Sequence, residues 1–113
     1  MSRERSLRAL GALFALAAAA IHFALASANL IPGETTATPA FVLMGLGFVG
    51  CAAALLLTRE RELLVIVAVY AVSLIVAYGA TRSTFPVEGL GLGAQAAEVA
   101  LAAVAVGLLR RRG

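Results

Sequence analysis

Lysine, aspartate and tryptophan are absent from this 113-residue chain, and histidine and cysteine occur once each. Each shortage closes a class of chemistry. A single cysteine, Cys51, cannot form a disulfide framework or a cysteine-based metal box within one chain. A single histidine, His22, has no Cys/His companions at zinc-ligand spacing. As a haem ligand it would need an open coordination position or a second ligand, and a second histidine could come only from a homodimer. There is no nucleophile elbow and no phosphate loop either. Gly89, Gly91 and Gly93 lack both a preceding strand and the Lys-Ser/Thr pair that would complete one. The expectation is a protein without catalytic residues, without a metal and without a cofactor.

Charge is scarce as well. Charged residues make up 13% of the chain and hydrophobic ones 62%, against about 25% and 45–50% in ordinary soluble domains. The net charge of +3 comes from nine arginines, grouped as Arg3, Arg5 and Arg8, then Arg59 and Arg61, then Arg110 to Arg112, with Arg82 apart. Each group flanks an apolar run, the pattern of the positive-inside rule rather than of a nucleic-acid surface. The partner implied is the lipid bilayer, with no role for nucleic acid.

What is present is four long apolar stretches. The last, GLGLGAQAAEVALAAVAVGLLRRR from Gly89 to Arg112, organises the reading because it carries one acid, Glu98, in its interior. An ionisable group inside a membrane span is expensive and points to a site. The first span is expected over residues 7–28, about 33 Å of helix at 1.5 Å per residue, enough for a hydrocarbon core of ~30 Å. The basic start and Ala26-Ser27-Ala28 imitate a signal peptide. However, the run exceeds the usual 7–15-residue apolar region, so a retained helix is expected. The other spans are expected over 40–58, 63–80 and 90–109, with Thr38 as N-cap and Pro39 as the first helical residue of the second. Loops of about eleven, four and eight residues force antiparallel neighbours. The fold expected is therefore all-α, an integral membrane four-helix bundle running up-down-up-down as one domain. The arginines place both termini and the 59–62 turn in the cytoplasm, in a multi-pass cell-membrane protein.

Helix contacts inside a membrane use small residues and a few polar bonds. Stripes at three-to-four spacing run through Ala15, Ala19, His22, Ala26 and Asn29, and through Met44, Gly47, Cys51, Ala54 and Thr58. The third helix offers Tyr70, Ser73, Ala77 and Ala80, and the fourth Gly91, Gln95, Glu98 and Ala102. Counting down from the loops puts His22 and Glu98 at one depth, about 10 Å in, with Ser73 and Gly47 level with them. Gln95 lies one turn above and Tyr70 one turn below. The candidate site is thus the polar cluster His22, Glu98, Gln95, Ser73 and Tyr70, with His22 facing Glu98 across the first and fourth helices. Glu98 has three readings: a carboxyl kept neutral by burial or bonded to His22 or Ser73, a proton- or ligand-binding acid, or a contact in an oligomer.

The histidine late in the first span (AIHFALA), the Gly-rich second span, the basic turn, the tyrosines of the third span and the Arg-rich tail carry a resemblance. The chain resembles small uncharacterised four-span membrane proteins of haloarchaeal type and, more distantly, DoxX-like proteins. The resemblance implies a four-span fold in a membrane and, through the DoxX-like proteins, an association with quinone-linked oxidation. The leading expectation for function is a structural or accessory subunit of a homo-oligomer or larger membrane complex. The alternatives are a small proton-coupled transporter using Glu98 and a redox-associated subunit holding a quinone against His22 and Tyr70.

Overall fold

The computed structural model describes residues 3–28, 37–81 and 89–112, and these form four α-helices: α1 (Arg3–Ala28), α2 (Ala37–Leu57), α3 (Arg61–Ala80) and α4 (Gly89–Arg112). No strand occurs among the described residues. At 1.5 Å per residue the helices measure about 30–39 Å, the thickness of a hydrocarbon core or slightly more. All four are long and apolar enough to cross a membrane. The bundle is 48 Å long and about 22 Å across.

The helix ends follow from local chemistry. Helix α2 begins at Ala37, so Thr38 and Pro39 lie within its first turn rather than capping it. Proline is tolerated there because first-turn N–H groups have no intrahelical acceptor. Helix α2 stops before Thr58, whose hydroxyl donates to the Ala54 carbonyl at 3.0 Å. Thr81 closes α3 similarly, donating to the Ala77 and Tyr78 carbonyls. Between α2 and α3 only Thr58 to Glu60 is non-helical. Arg61 and Glu62, expected in the turn, instead form the first turn of α3, where Glu62 suits the positive end of the helix dipole.

Packing follows a ring with one loose side. Helix α1 lies against α2 and α4, α3 lies against α4, and α2 and α3 touch only sparingly despite the short turn joining them. The close contacts are built from alanine. Ala12, Ala15, Ala18 and Ala19 of α1 and Ala94, Ala97 and Ala105 of α4 are buried, interleaved with Leu101, Val104 and Leu108. Small side chains let helix backbones approach where no hydrophobic drive separates protein from lipid. Larger residues, including Leu13, Leu43, Leu46, Leu57, Val69 and Val76, point outward.

At the end of the bundle where the chain starts, two arginines each reach across an antiparallel helix pair. Arg8 of α1 is 7% exposed and donates from Nη1 to the Leu55 and Thr58 carbonyls at 3.0 and 2.7 Å. Arg61 of α3 donates to the Leu109 carbonyl of α4 at 3.3 Å. The last carbonyls of α2 and α4 have no intrahelical donor, so a cation there satisfies them and complements the helix dipole. Both hairpins also open on the same tripeptide, Arg3-Glu4-Arg5 and Arg59-Glu60-Arg61.

A buried carboxyl–imidazole pair between the first and last helices

Helix periodicity brings His22 of α1 and Glu98 of α4 to the same seam. His22 belongs to the buried face that runs Arg8, Ala12, Ala15, Ala19, His22, Ala26. Glu98 sits on the buried face of α4 between Ala94 and Leu101 and has no exposed surface. His22 Nε2 lies 4.0 Å from Glu98 Oε2. The other ring nitrogen, Nδ1, is 2.7 Å from the Ala18 carbonyl one turn back. A carbonyl only accepts, so Nδ1 carries a hydrogen and Nε2 is the nitrogen presented to the acid.

Gln95, one turn before Glu98 on α4, supplies the remaining polar contact. Its amide nitrogen lies 3.4 and 3.3 Å from the two carboxyl oxygens. One nitrogen shared at that range is a weak donor for a group with about four lone-pair sites. Two aromatic rings of α2 lie by the imidazole. The His22 ring is 5.2 Å from Phe48 and 6.3 Å from Phe41, centroid to centroid. Phe48 in turn meets Tyr70 edge-on at 5.0 Å.

Tyr70 sits at the loose α2–α3 seam, where its hydroxyl donates to the Met44 carbonyl at 2.7 Å. Gly47 makes this possible, because a Cβ at that position would coincide with the Tyr70 hydroxyl. A carbonyl in mid-helix already accepts the i+4 amide, so its second lone pair is what Tyr70 uses. Gly45 plays the same part toward the Phe23 ring of α1. Gly50 does not, being exposed with open space above it.

Of the five residues expected to cluster, His22, Glu98 and Gln95 come together. Tyr70 joins them through Phe48, and its hydroxyl is spent on α2. Ser73 does not belong. It lies on the exposed outer surface of α3. The buried face of α3 is Leu64, Val67 and Ala71, and Ser73 is two residues, about 200°, round the helix from Ala71. Alanine is so frequent that a small-residue stripe could be drawn on the wrong face. Asn29 lies outside the described residues.

Three contributors escaped the sequence reading. Phe41 and Phe48 cover the imidazole, and Arg8 is the buried cation of α1. The signal for Arg8 was available: continuing the Ala15–Ala19–His22 stripe backward through Ala12 reaches it. Among the described residues no group of three or more His, Cys, Asp or Glu could hold a metal ion.

The chain matches the model of a family of unknown function (DUF7475) over residues 2–109, and it belongs to that family. No curated protein matches it, and no solved structure does.

Proposed function

We propose that this member of DUF7475 is a small multi-pass membrane protein that serves as an accessory subunit, its bundle acting as a rigid packing unit for a partner in the bilayer. The observation that carries this reading is the inward engagement of His22, Glu98, Gln95 and Tyr70, with Ser73 facing outward. Glu98 is engaged by Gln95 and His22, His22 by Ala18, and Tyr70 by Met44. The outer faces offer large aliphatic residues, among them Leu13, Leu46, Leu57 and Val76. Such a surface suits lipid and partner helices alike. The test is mild solubilisation after cross-linking in native membranes, followed by capture of the tagged chain. A discrete, stoichiometric membrane partner supports the reading, and recovery of the chain alone, in one copy, rejects it.

One observation favours a second reading, that of a proton-coupled transporter. An acid and an imidazole lie 4.0 Å apart across the α1–α4 seam, and closing that gap to hydrogen-bond distance would let one proton pass between them. In that case purified protein in liposomes would release protons when a cationic substrate is added, and Glu98→Gln would abolish the signal. In either reading the arginine-rich end is cytoplasmic.

A further inference from the structure

We infer that His22 and Glu98 form a one-proton binding site in which the proton rests on Glu98, as an uncharged carboxylic acid facing the bare Nε2 of His22. The inference concerns the pair itself and holds whether the bundle serves a partner or carries a substrate. Three observations lead to it. First, Nδ1 is committed as a donor to the Ala18 carbonyl, so a neutral His22 presents a lone pair at Nε2, directly opposite the acid. Second, the seam can hold a single proton without net charge, whereas zero or two protons leave an unbalanced charge in a fully enclosed place. Third, among the described residues the Gln95 amide nitrogen is the one hydrogen-bond donor to Glu98, fewer than an ionised carboxylate requires away from water.

The groups around the pair are few. From α4 comes Gln95, whose one amide nitrogen is shared between both oxygens at 3.3 and 3.4 Å. From α2 come Phe41 and Phe48. From α3 comes Tyr70, whose hydroxyl is turned to Met44. Among the described residues, Arg8 and Arg61 are turned away from the pair, to the carbonyls of Leu55 and Thr58 and of Leu109 at the arginine-rich end. A separated ion pair in such surroundings is poorly compensated, and the un-ionised acid with a neutral imidazole avoids the desolvation of two charges. A small closure of the 4.0 Å gap turns the arrangement into an O–H···N hydrogen bond.

The site has a conformational consequence. Losing the proton leaves a carboxylate against a nitrogen lone pair across α1 and α4, which repel, so alkaline conditions loosen that seam.

His22 is the only histidine in the chain, so its two ring nitrogens are read without ambiguity by ¹⁵N NMR of the full protein in lipid. At neutral pH one protonated and one unprotonated nitrogen are expected, together with an infrared carbonyl absorption of an un-ionised acid that disappears in Glu98→Gln. Two protonated nitrogens with no acid absorption mean an ion pair and overturn the proposal. So does an acid absorption that survives Glu98→Gln. Raising the pH should then increase amide exchange along the facing stretches of α1 and α4, beyond the base-catalysed rise common to all amides, in the wild type but not in Glu98→Gln. An equal response of the two proteins overturns the coupling of the proton to the seam.

Discussion

Glu98 is fully enclosed and its partner His22 nearly so, which makes the strength of their coupling a measure of their charge. Intramembrane hydrogen bonds average ~0.6 kcal/mol in double-mutant cycles and reach ~1.7 kcal/mol. Breaking a buried ion pair by removing one partner typically costs about 3–5 kcal/mol. His22→Ala, Glu98→Ala and the double variant, unfolded reversibly in detergent, should therefore give a coupling of ~0.6 to ~1.7 kcal/mol. A coupling near 3 kcal/mol or above would indicate charged partners instead. Gly47 offers a second test at this scale. Gly47→Ala places a Cβ where the Tyr70 hydroxyl now sits, so the hydroxyl must leave Met44 and α3 must shift. Tyr70→Phe removes the nearest clashing atom and the hydrogen bond with it, although the ring carbon Cζ would still have to move aside. Gly47→Ala should hence destabilise the wild type by more than it destabilises Tyr70→Phe, on the order of 1 kcal/mol for the hydrogen bond lost. Equal costs in the two backgrounds would show that the close approach is unimportant.

At the scale of the helix, two arginines do for α2 and α4 what a glycine cap does for a soluble helix. They are not equivalent. Arg8 is buried and makes two carbonyl bonds, with Glu4 3.7 Å from its Nε. Arg61 is exposed and makes one long bond. Hydrogen bonds from charged donors are worth about 1.5–3 kcal/mol when buried, and dipole effects at exposed ends about 0.3–1 kcal/mol. Arg8→Leu should cost several times as much as Arg61→Leu, and amide exchange should quicken in the last turn of α2 in the first variant alone. Comparable losses would assign both arginines to general surface charge.

The same scale explains what could be read in advance. The four spans and the α1 and α4 faces were legible because Arg-bounded apolar runs and an alanine stripe holding His22 or Glu98 admit few arrangements. The α3 face was not. Its buried residues Leu64, Val67 and Ala71 resemble in size those it exposes, such as Val65 and Val69, so only its neighbours decide which side turns in. The loose α2–α3 seam was equally hidden, because a short turn predicts adjacency but not closeness.

At the scale of the whole molecule, every arginine except Arg82 belongs to the end of the bundle formed by the chain start, the α2–α3 turn and the end of α4. That asymmetry predicts a cytoplasmic location for this end, since arginine near span ends is retained inside. Single cysteines at Ser2 and Thr36 in a Cys51→Ala background test it. Cys51 is enclosed, and alanine is close to it in size, so the background should keep the fold. A membrane-impermeant maleimide applied to intact cells should label the Thr36→Cys protein and leave Ser2→Cys unlabelled until the membrane is opened. The reverse pattern rejects the orientation. The same samples decide whether α1 is retained, because the intact mass must include Met1 to Ala28. Retention is expected on structural grounds rather than from length alone. Helix α1 supplies the arginine that caps α2 and the imidazole that faces Glu98, and it packs against both α2 and α4. A chain beginning near Asn29 would leave α2 uncapped and Glu98 open to lipid, without its imidazole. Its recovery as the mature form would refute the four-helix architecture.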